Sequence, residues 1–300
     1  MIEVREVVTD EDVATYLDVR NRVHPATPMP LAAVLDQRRR PDNLDLIAEV
    51  DRVPAGVATT DEFGGSPGGD LAYVTIRVVP EQRRRGVGTA LHRRASKHAR
   101  GLGKARFYAV VRHDDPDSLA YYDHRGFEEV GRMQDVTLEL AGVDVRVEPP
   151  DGIRIAEATE AYDRGAYEVA LEADADVPSG EQFVSGTFGQ WRDRTFGPLT
   201  MRELSFVALD GGRVVGYAVV HRHTDDEAQH AMTGVARAAR GRGIALALKQ
   251  AQIAAAKGAG LRALRTQNDL SNTPMRRVNE KLGYVRTFEW VHLTGPLLPR

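Results

Sequence analysis

Residues 2–8 alternate apolar and polar side chains at the period of a strand, and Thr9 with Asp12 then opens a stretch where Val13, Leu17 and Val23 recur at helical spacing up to Pro25. Two strand-like segments follow, Leu44 to Val50 and Val53 to Thr60, joined at Asp51 and Arg52 as a hairpin would be. Gly64, Gly65, Ser66, Pro67, Gly68 and Gly69 cannot sustain regular structure and predict a flexible connection into the next strand, Leu71 to Val79. Val87, Ala90, Leu91 and Ala95 then mark a helix from Gly86 to Gly101, which Gly101 and Gly103 stop before a strand at Ala105 to Val111. A strand-helix-strand crossover favours two parallel strands. A short helix, Asp117 to His124, leads to Gly126 and a last strand ending near Leu140.

Glu148, Pro149, Pro150, Asp151 and Gly152 read as a linker, after which the same order recurs. The second copy runs through strand Ile153 to Ala156, helices within Ala158 to Arg194, and strands Ser205 to Leu209 and Arg213 to His221. Strand Ala231 to Ala236, helix Gly243 to Lys257, strand Leu261 to Gln267 and helix Asn272 to Lys281 complete it. Placing Arg83 on Arg240 sets an offset of 157 that holds without a gap: Gly86 falls on Gly243, Gly101 on Gly258, Gly103 on Gly260 and Gly126 on Gly283. Four coincident glycines at an average frequency of about 7% are hard to obtain by chance, so the chain is an internal duplication. The expected domains are 1–147 and 153–300, with 148–152 between them. The expected fold class is α/β with a mixed sheet, each domain a twisted central sheet with helices on both faces.

Composition narrows the function. Three hundred residues suffice for two ordinary cores. Forty Lys and Arg against 43 Asp and Glu leave a formal charge of −3, so no global field draws the molecule to nucleic acid or an anionic membrane. The absence of cysteine excludes disulfides, thiolate metal sites and a cysteine nucleophile. Without a bilayer-length apolar run or a signal-like amino terminus, a cytoplasmic location is expected. His221, His223 and His230 fall on a strand pattern with no carboxylate at ligand spacing, so no metal is expected and these histidines should face solvent or substrate. Arg38, Arg39 and Arg40 close a helical segment, where cations suit the helix dipole.

The chemistry concentrates at the two junctions between strand and helix. Arg83, Arg84, Arg85, Gly86, Val87, Gly88 and Thr89 form one, and Arg240, Gly241, Arg242, Gly243, Ile244 and Ala245 the other. Small residues let a phosphate approach backbone amides at a helix start, and arginines add charge. Neither copy has the dinucleotide spacing G-x-G-x-x-G, Gly101 to Lys104 completes no P-loop, and no G-x-S-x-G elbow is present.

Both junctions resemble the R-x-x-G-x-[GA] acyl-CoA motif of the GNAT superfamily, and the surrounding element order is similar to that family's over nearly the whole chain. The resemblance implies acetyl-CoA as cosubstrate and direct attack of a primary amine, from a small molecule or peptide, on the thioester. It implies a pantetheine arm lying between two parted strands, with a backbone amide near Val79 or Val235 holding the carbonyl oxygen as it gains charge. Tyr122, Asp123, His124, Arg125, Gly126 and Phe127 resemble the family's Y-x-x-x-G-F, whose tyrosine protonates the departing thiolate. At the matching place the second copy carries Asn279, which cannot donate a proton comparably. Asn272 resembles a cofactor-contacting asparagine, where the first copy has Asp115. Glu227, with Asp225 and Asp226, and Asp61 with Glu62 are the carboxylates placed to serve as base; a relayed water is the alternative. The tandem layout is similar to that of mycothiol synthase, a second reading of the activity, and a third is an acyl-CoA sensor with one or both domains inactive. A monomer or homodimer is expected.

Overall fold

The computed structural model describes residues 1–25, 28–63, 68–177 and 185–299. The segment 64–67 within the glycine-rich connection lies outside them. The chain divides into two compact units, Met1–Val130 with Val291–Arg300, and Gly131–Trp290. Residues 131–147 therefore belong to the second unit and 291–300 to the first, whereas the sequence pattern puts the division at 148–152.

The first unit contains β1 (Ile2–Glu6), α1 (Asp10–Val23), α2 (Leu31–Gln37), β2 (Leu44–Val50), β3 (Val53–Glu62), β4 (Leu71–Val78), α3 (Val87–Gly101), β5 (Arg106–Arg112) and α4 (Pro116–Asp123). Its strands lie in the order β1-β2-β3-β4-β5, antiparallel except for the parallel β4–β5 pair. Strand alternation sends Ile47 and Val57 to one face, against Val13, Tyr16 and Val19 of α1. It sends Leu46, Ala48 and Ala58 to the other, against Val87 and Leu91 of α3. Covered on both faces, β2 and β3 bury nearly every residue, the polar Asp45, Thr59, Thr60 and Asp61 included. The α1 start is fixed by Thr9 and Asp12, which form a reciprocal capping box of the kind worth about 1 kcal/mol. Val291 and Leu293 complete the core around Phe107 and Ala109 beside β5.

The second unit contains nearly all of β6 (Glu128–Glu139), then β7 (Ile153–Glu157), α5 (Asp163–Ala175), α6 (Phe188–Thr195), β8 (Phe206–Asp210) and β9 (Arg213–Arg222). It continues with β10 (Glu227–Val235), α7 (Ile244–Gly258), β11 (Ala263–Asp269), α8 (Thr273–Lys281) and most of β12 (Val285–Pro296). The order is β6-β11-β10-β9-β8-β7, with β10–β11 the parallel pair. Leu138 of β6 pairs with Leu264 of β11, and both sit in one cluster with Val136 and Tyr284. Burying such side chains stabilises by roughly 1.5–3 kcal/mol each, so the apolar face of β6 is strongly held where it lies. Among the described residues, no helix is long and apolar enough to cross a membrane.

The duplication is geometric as well as sequential. Gly86 and Gly243 start α3 and α7 with φ of 89° and 88°, and Arg84 and Gly241, two residues earlier in each copy, take φ of 61° and 77°. Gly56 and Gly216 show why each helix can sit so close to its strand. A Cβ on Gly56 would meet the Arg77 carbonyl oxygen at 2.7 Å and Val87 at 3.2 Å, and one on Gly216 would meet Ile244 at 3.1 Å and Leu248 at 3.2 Å.

Candidate active site

Each loop alternates ordinary and left-handed backbone before its helix, a sequence of turns that aims successive N–H groups at one point. The first helical bond of α3 runs from Ala90 to Gly86, and that of α7 from Ala247 to Gly243, so residues 87–89 and 244–246 keep their amides outside the ladder. These amides, at the positive end of a helix dipole, are suited to an anion. The arginines mostly brace the loop. Nε of Arg83 donates to the Val78 carbonyl at 3.3 Å, and Nε of Arg240 donates to the Val235 carbonyl at 3.1 Å. Arg83 and Arg84 also reach Asp117, Arg240 pairs with Asp176 at 2.7 Å, and Arg242 with Asp210 at 2.8 Å. Arg85 donates to Gln82. Val87 and Ile244 are buried in the core, so only their backbone is available to a ligand.

Beyond each loop the parallel strands part. β4 and β5 pair only from Leu71 with Arg106 to Val74 with Ala109, and β10 and β11 only from Glu227 with Ala263 to Gln229 with Arg265. The edge amides past those points can be assigned from the neighbouring antiparallel pair. The Val79 amide donates to the Ala55 carbonyl at 3.0 Å, so residues 77 and 75 face β3 as well, and Val78 and Ile76 face the gap. The Ala236 amide donates to Val215 in the same way, leaving Val235 toward its gap. Val235 thus corresponds to Val78, and the Val79 amide, already engaged, is replaced by its neighbour at the position expected of it.

In the first unit the loop and the gap share a cavity of about 410 Å³. Gly86, Gly88 and Thr89 line one end, Tyr122 lies along it, and His24 and Arg77 line the side of the sheet that carries α1. Tyr122 is 4% exposed and packs edge-on to Phe127 at 4.7 Å; its hydroxyl has no hydrogen-bond partner among the described residues. Burial pushes that hydroxyl well above the usual tyrosine range. Tyr121, which the motif did not single out, donates its hydroxyl to the Gly88 carbonyl at 2.9 Å. His92 Nδ1 lies 3.2 Å from the same hydroxyl and must therefore be the donor to it, while burial lowers the His92 pKa to about 4 and so keeps the ring neutral. Arg125 stacks over Tyr121 at 3.7 Å and donates to the Thr89 hydroxyl at 2.9 Å. Gly88 is needed here, since a Cβ would meet the Tyr121 ring at 3.2 Å. The second copy has Ala245 and Val278 in these two places.

The second unit differs. Its cavity, about 120 Å³, is lined from β10, α7, β11 and α8 by residues including Thr233, Lys249, Asn268 and Asn272, and by none of Val235 or 240–245. Asn279 is buried and donates through Nδ2 to Asn268 Oδ1, so the residue in the place of Tyr122 is tied to a neighbour. Asn272 caps α8 by accepting from the Met275 amide at 3.2 Å, as Asp115 caps α4 through Ser118 at 3.1 Å; both residues also line their unit's cavity. His230 is buried rather than solvated and lines the second unit's cavity, with Nδ1 2.8 Å from Gln252 and Nε2 against the Tyr284 hydroxyl. His221 contacts the Thr195 carbonyl and His223 contacts Arg265. Among the described residues no group of His, Asp or Glu is spaced to hold a metal.

The carboxylates named as bases are not gathered at these cavities. Glu227 is clasped by Arg262 and Arg265, and Asp226 pairs with Arg262 at 3.0 Å. Asp225 is exposed. Glu62 pairs with Lys104, and Asp61, buried beside Arg40 at 3.0 Å, is pushed up to about 6 by desolvation. Arg38 donates to the Val7 carbonyl, so this stretch of basic residues is partly structural.

Comparison with known proteins places this geometry. The model of the Acetyltransferase (GNAT) family matches residues 8–127 and again 167–284. A mycothiol acetyltransferase of Actinosynnema mirum is 29% identical over 263 residues, covering 86% of each chain. One from Catenulispora acidiphila is 30% identical over 239 residues, covering 77% of this chain and 74% of the relative. A GCN5-related N-acetyltransferase structure from Sphaerobacter thermophilus superposes with a TM-score of 0.81 at 20% identity, covering 99% of this chain and 96% of that one. A tandem GNAT protein from the clavulanic acid biosynthesis pathway superposes at 0.77 with 21% identity over the whole of both chains.

Proposed function

The chain belongs to the acetyltransferase (GNAT) family, and on that premise we propose that its first unit moves an acetyl group from acetyl-CoA to a primary amine of a small molecule or peptide by direct attack. The observation that carries this reading is one cavity lined by Gly86 and Gly88 of the loop, Ile76 and Val78 at the edge of β4, Tyr122, and His24 with Arg77. The loop amides hold the diphosphate, and the gap takes the pantetheine arm. The Val78 amide faces the carbonyl oxygen as charge develops there. The amine enters from the α1 side, loses its proton to water and forms the new C–N bond; the C–S bond breaks and Tyr122 gives the thiolate its proton. Asp61 and Glu62 are held by Arg40 and Lys104, which favours water over either as the base.

The test is free CoA release from acetyl-CoA across an amine panel, with the acetylated amine identified by mass. Amine-dependent release supports transfer; two bound acetyl-CoA per chain with no acetylated product would support a sensor instead. The coverage of the Actinosynnema mirum relative favours a second reading, in which this chain too is a mycothiol acetyltransferase. Including desacetyl-mycothiol in the panel separates the two, since that reading requires it to be preferred over simple amines.

A further inference from the structure

The second unit buries a lysine that the chemistry above does not use. Lys249 of α7 is 1% exposed, its Nζ has no hydrogen-bond partner among the described residues, and it lines the cavity between β10 and β11. In the first unit the same helix position holds His92, which is neutral and bonded to Tyr121. A buried ammonium without a counter-ion is strongly disfavoured, so the groups around Lys249 matter.

Among the described residues one carboxylate, Asp269, lines the cavity, and it makes no ion pair with Lys249. From β10, His230 is neutral, because burial and Lys249 itself drive its pKa well below the usual value. The Tyr284 ring lies 5.4 Å from Nζ, and its hydroxyl is pushed above the usual tyrosine range by burial. From β11 come Thr266, Gln267 and Asn268, all neutral, and Asp269, whose Oδ1 already accepts from the Ser271 amide and hydroxyl. From α8 come Asn272 and Met275, and from β6 Met133. No carboxylate among the described residues makes an ion pair with Lys249. Desolvation, unopposed, lowers its pKa to about 7. Two neutral hydrogen-bonding groups share the wall: the Thr233 hydroxyl, buried without a partner among the described residues, and Asn268, whose oxygen is taken by Asn279 and whose amide nitrogen is left to donate.

We propose that this cavity is a carboxylate site, in which Lys249 as an ammonium pairs with the carboxylate of a small acid or of a carboxylated acyl chain, assisted by Thr233 and Asn268. The volume of about 120 Å³ limits the occupant to a few heavy atoms. The proposal is independent of transfer in the first unit.

Thermal melting of the full chain at pH 6.5 in acetate, against chloride and phosphate at matched ionic strength, tests it. The expected result is a saturable rise in Tm with acetate alone. Lys249→Met should melt at or above the unliganded wild type, because it deletes an uncompensated amine, and should lose the acetate response while keeping stabilisation by acetyl-CoA. Should that variant not fold, calorimetry on the wild type at pH 8 in buffers of differing ionisation heat is expected to show close to one proton taken up per carboxylate bound. Acetate affinity should fall about tenfold per pH unit above the lysine's midpoint. Succinyl-CoA against acetyl-CoA distinguishes the sources: an acyl-borne carboxylate adds a Lys249-dependent binding event for succinyl-CoA, and a free acid does not. Equal effects of acetate, phosphate and chloride with no added succinyl-CoA site, retained acetate binding in Lys249→Met, or binding without proton uptake at pH 8 would each overturn the proposal.

Discussion

Tyr122→Phe isolates the hydroxyl proposed to protonate the leaving thiolate. The ring packs against Phe127 at 4.7 Å and Tyr121 at 5.3 Å, and phenylalanine keeps both contacts. Because the hydroxyl has no partner among the described residues, its removal leaves no orphaned group, and stability should change by less than about 1 kcal/mol. Loss of a positioned general acid typically costs 10²–10⁴ in rate, roughly 3–5 kcal/mol on the barrier. Burial raises the Tyr122 pKa above the usual range, so the wild type should show no loss of rate from this group as pH rises through 9. The assay is CoA thiol release at saturating acetyl-CoA with the preferred amine, beside a direct titration of acetyl-CoA. Turnover should fall at least 100-fold with Kd for acetyl-CoA changed less than threefold. Turnover within threefold of wild type would remove Tyr122 from the mechanism, and a matching loss of affinity would make it a packing residue.

Gly88→Ala should weaken acetyl-CoA binding, because the new Cβ meets the Tyr121 ring at 3.2 Å; adding Tyr121→Val, which reproduces the Ala245 and Val278 pair, should restore it, with a coupling of about 1 kcal/mol or more in a double-mutant cycle. Gly56→Ala should cost roughly 1–3 kcal/mol in urea unfolding, since its Cβ would lie 2.7 Å from a backbone oxygen that cannot swing aside; an unchanged midpoint would refute the close approach of α3. Asp61, ordinarily near 3.8, titrates at about 6 when folded, so the folded chain holds this proton more tightly and the group's contribution is present below pH 4 and lost as pH climbs through 6. Two units correspond to about 3 kcal/mol at most, and Asp61→Asn should flatten that fall when unfolding free energies at pH 4.5 and 7 are compared.

The loops were legible because Gly86 and Gly243, both at positive φ where glycine is favoured, recur at an offset of 157, as do Gly103 with Gly260 and Gly126 with Gly283. Val79 was read one residue too far because side-chain pattern does not report which edge of a strand an amide faces; that depends on the bond to Ala55. Gly56 and Gly216 escaped notice because their offset is 160, not 157. Lys249 carried no signal in the sequence and His230 was expected on a strand facing solvent or substrate; only the packed structure shows both side chains buried. The division between units was hidden for a different reason. Both copies end in strands of the same alternation, so the pattern around β6 and β12 satisfies a core in either unit. Glu227 fits a base by position alone, and its two arginine partners come from the turn before β11 and from β11 itself, 35 and 38 residues later.

The most direct measurement compares acetyl-CoA with S-acetylpantetheine, which keeps the thioester and arm but lacks the diphosphate and nucleotide, for binding to the full chain. If the amides at Gly86 to Thr89 grip the diphosphate, acetyl-CoA should bind at least 100-fold more tightly and shift those amide resonances in an NMR titration. Equal affinities, with the Gly86 and Gly88 signals unmoved, would contradict it.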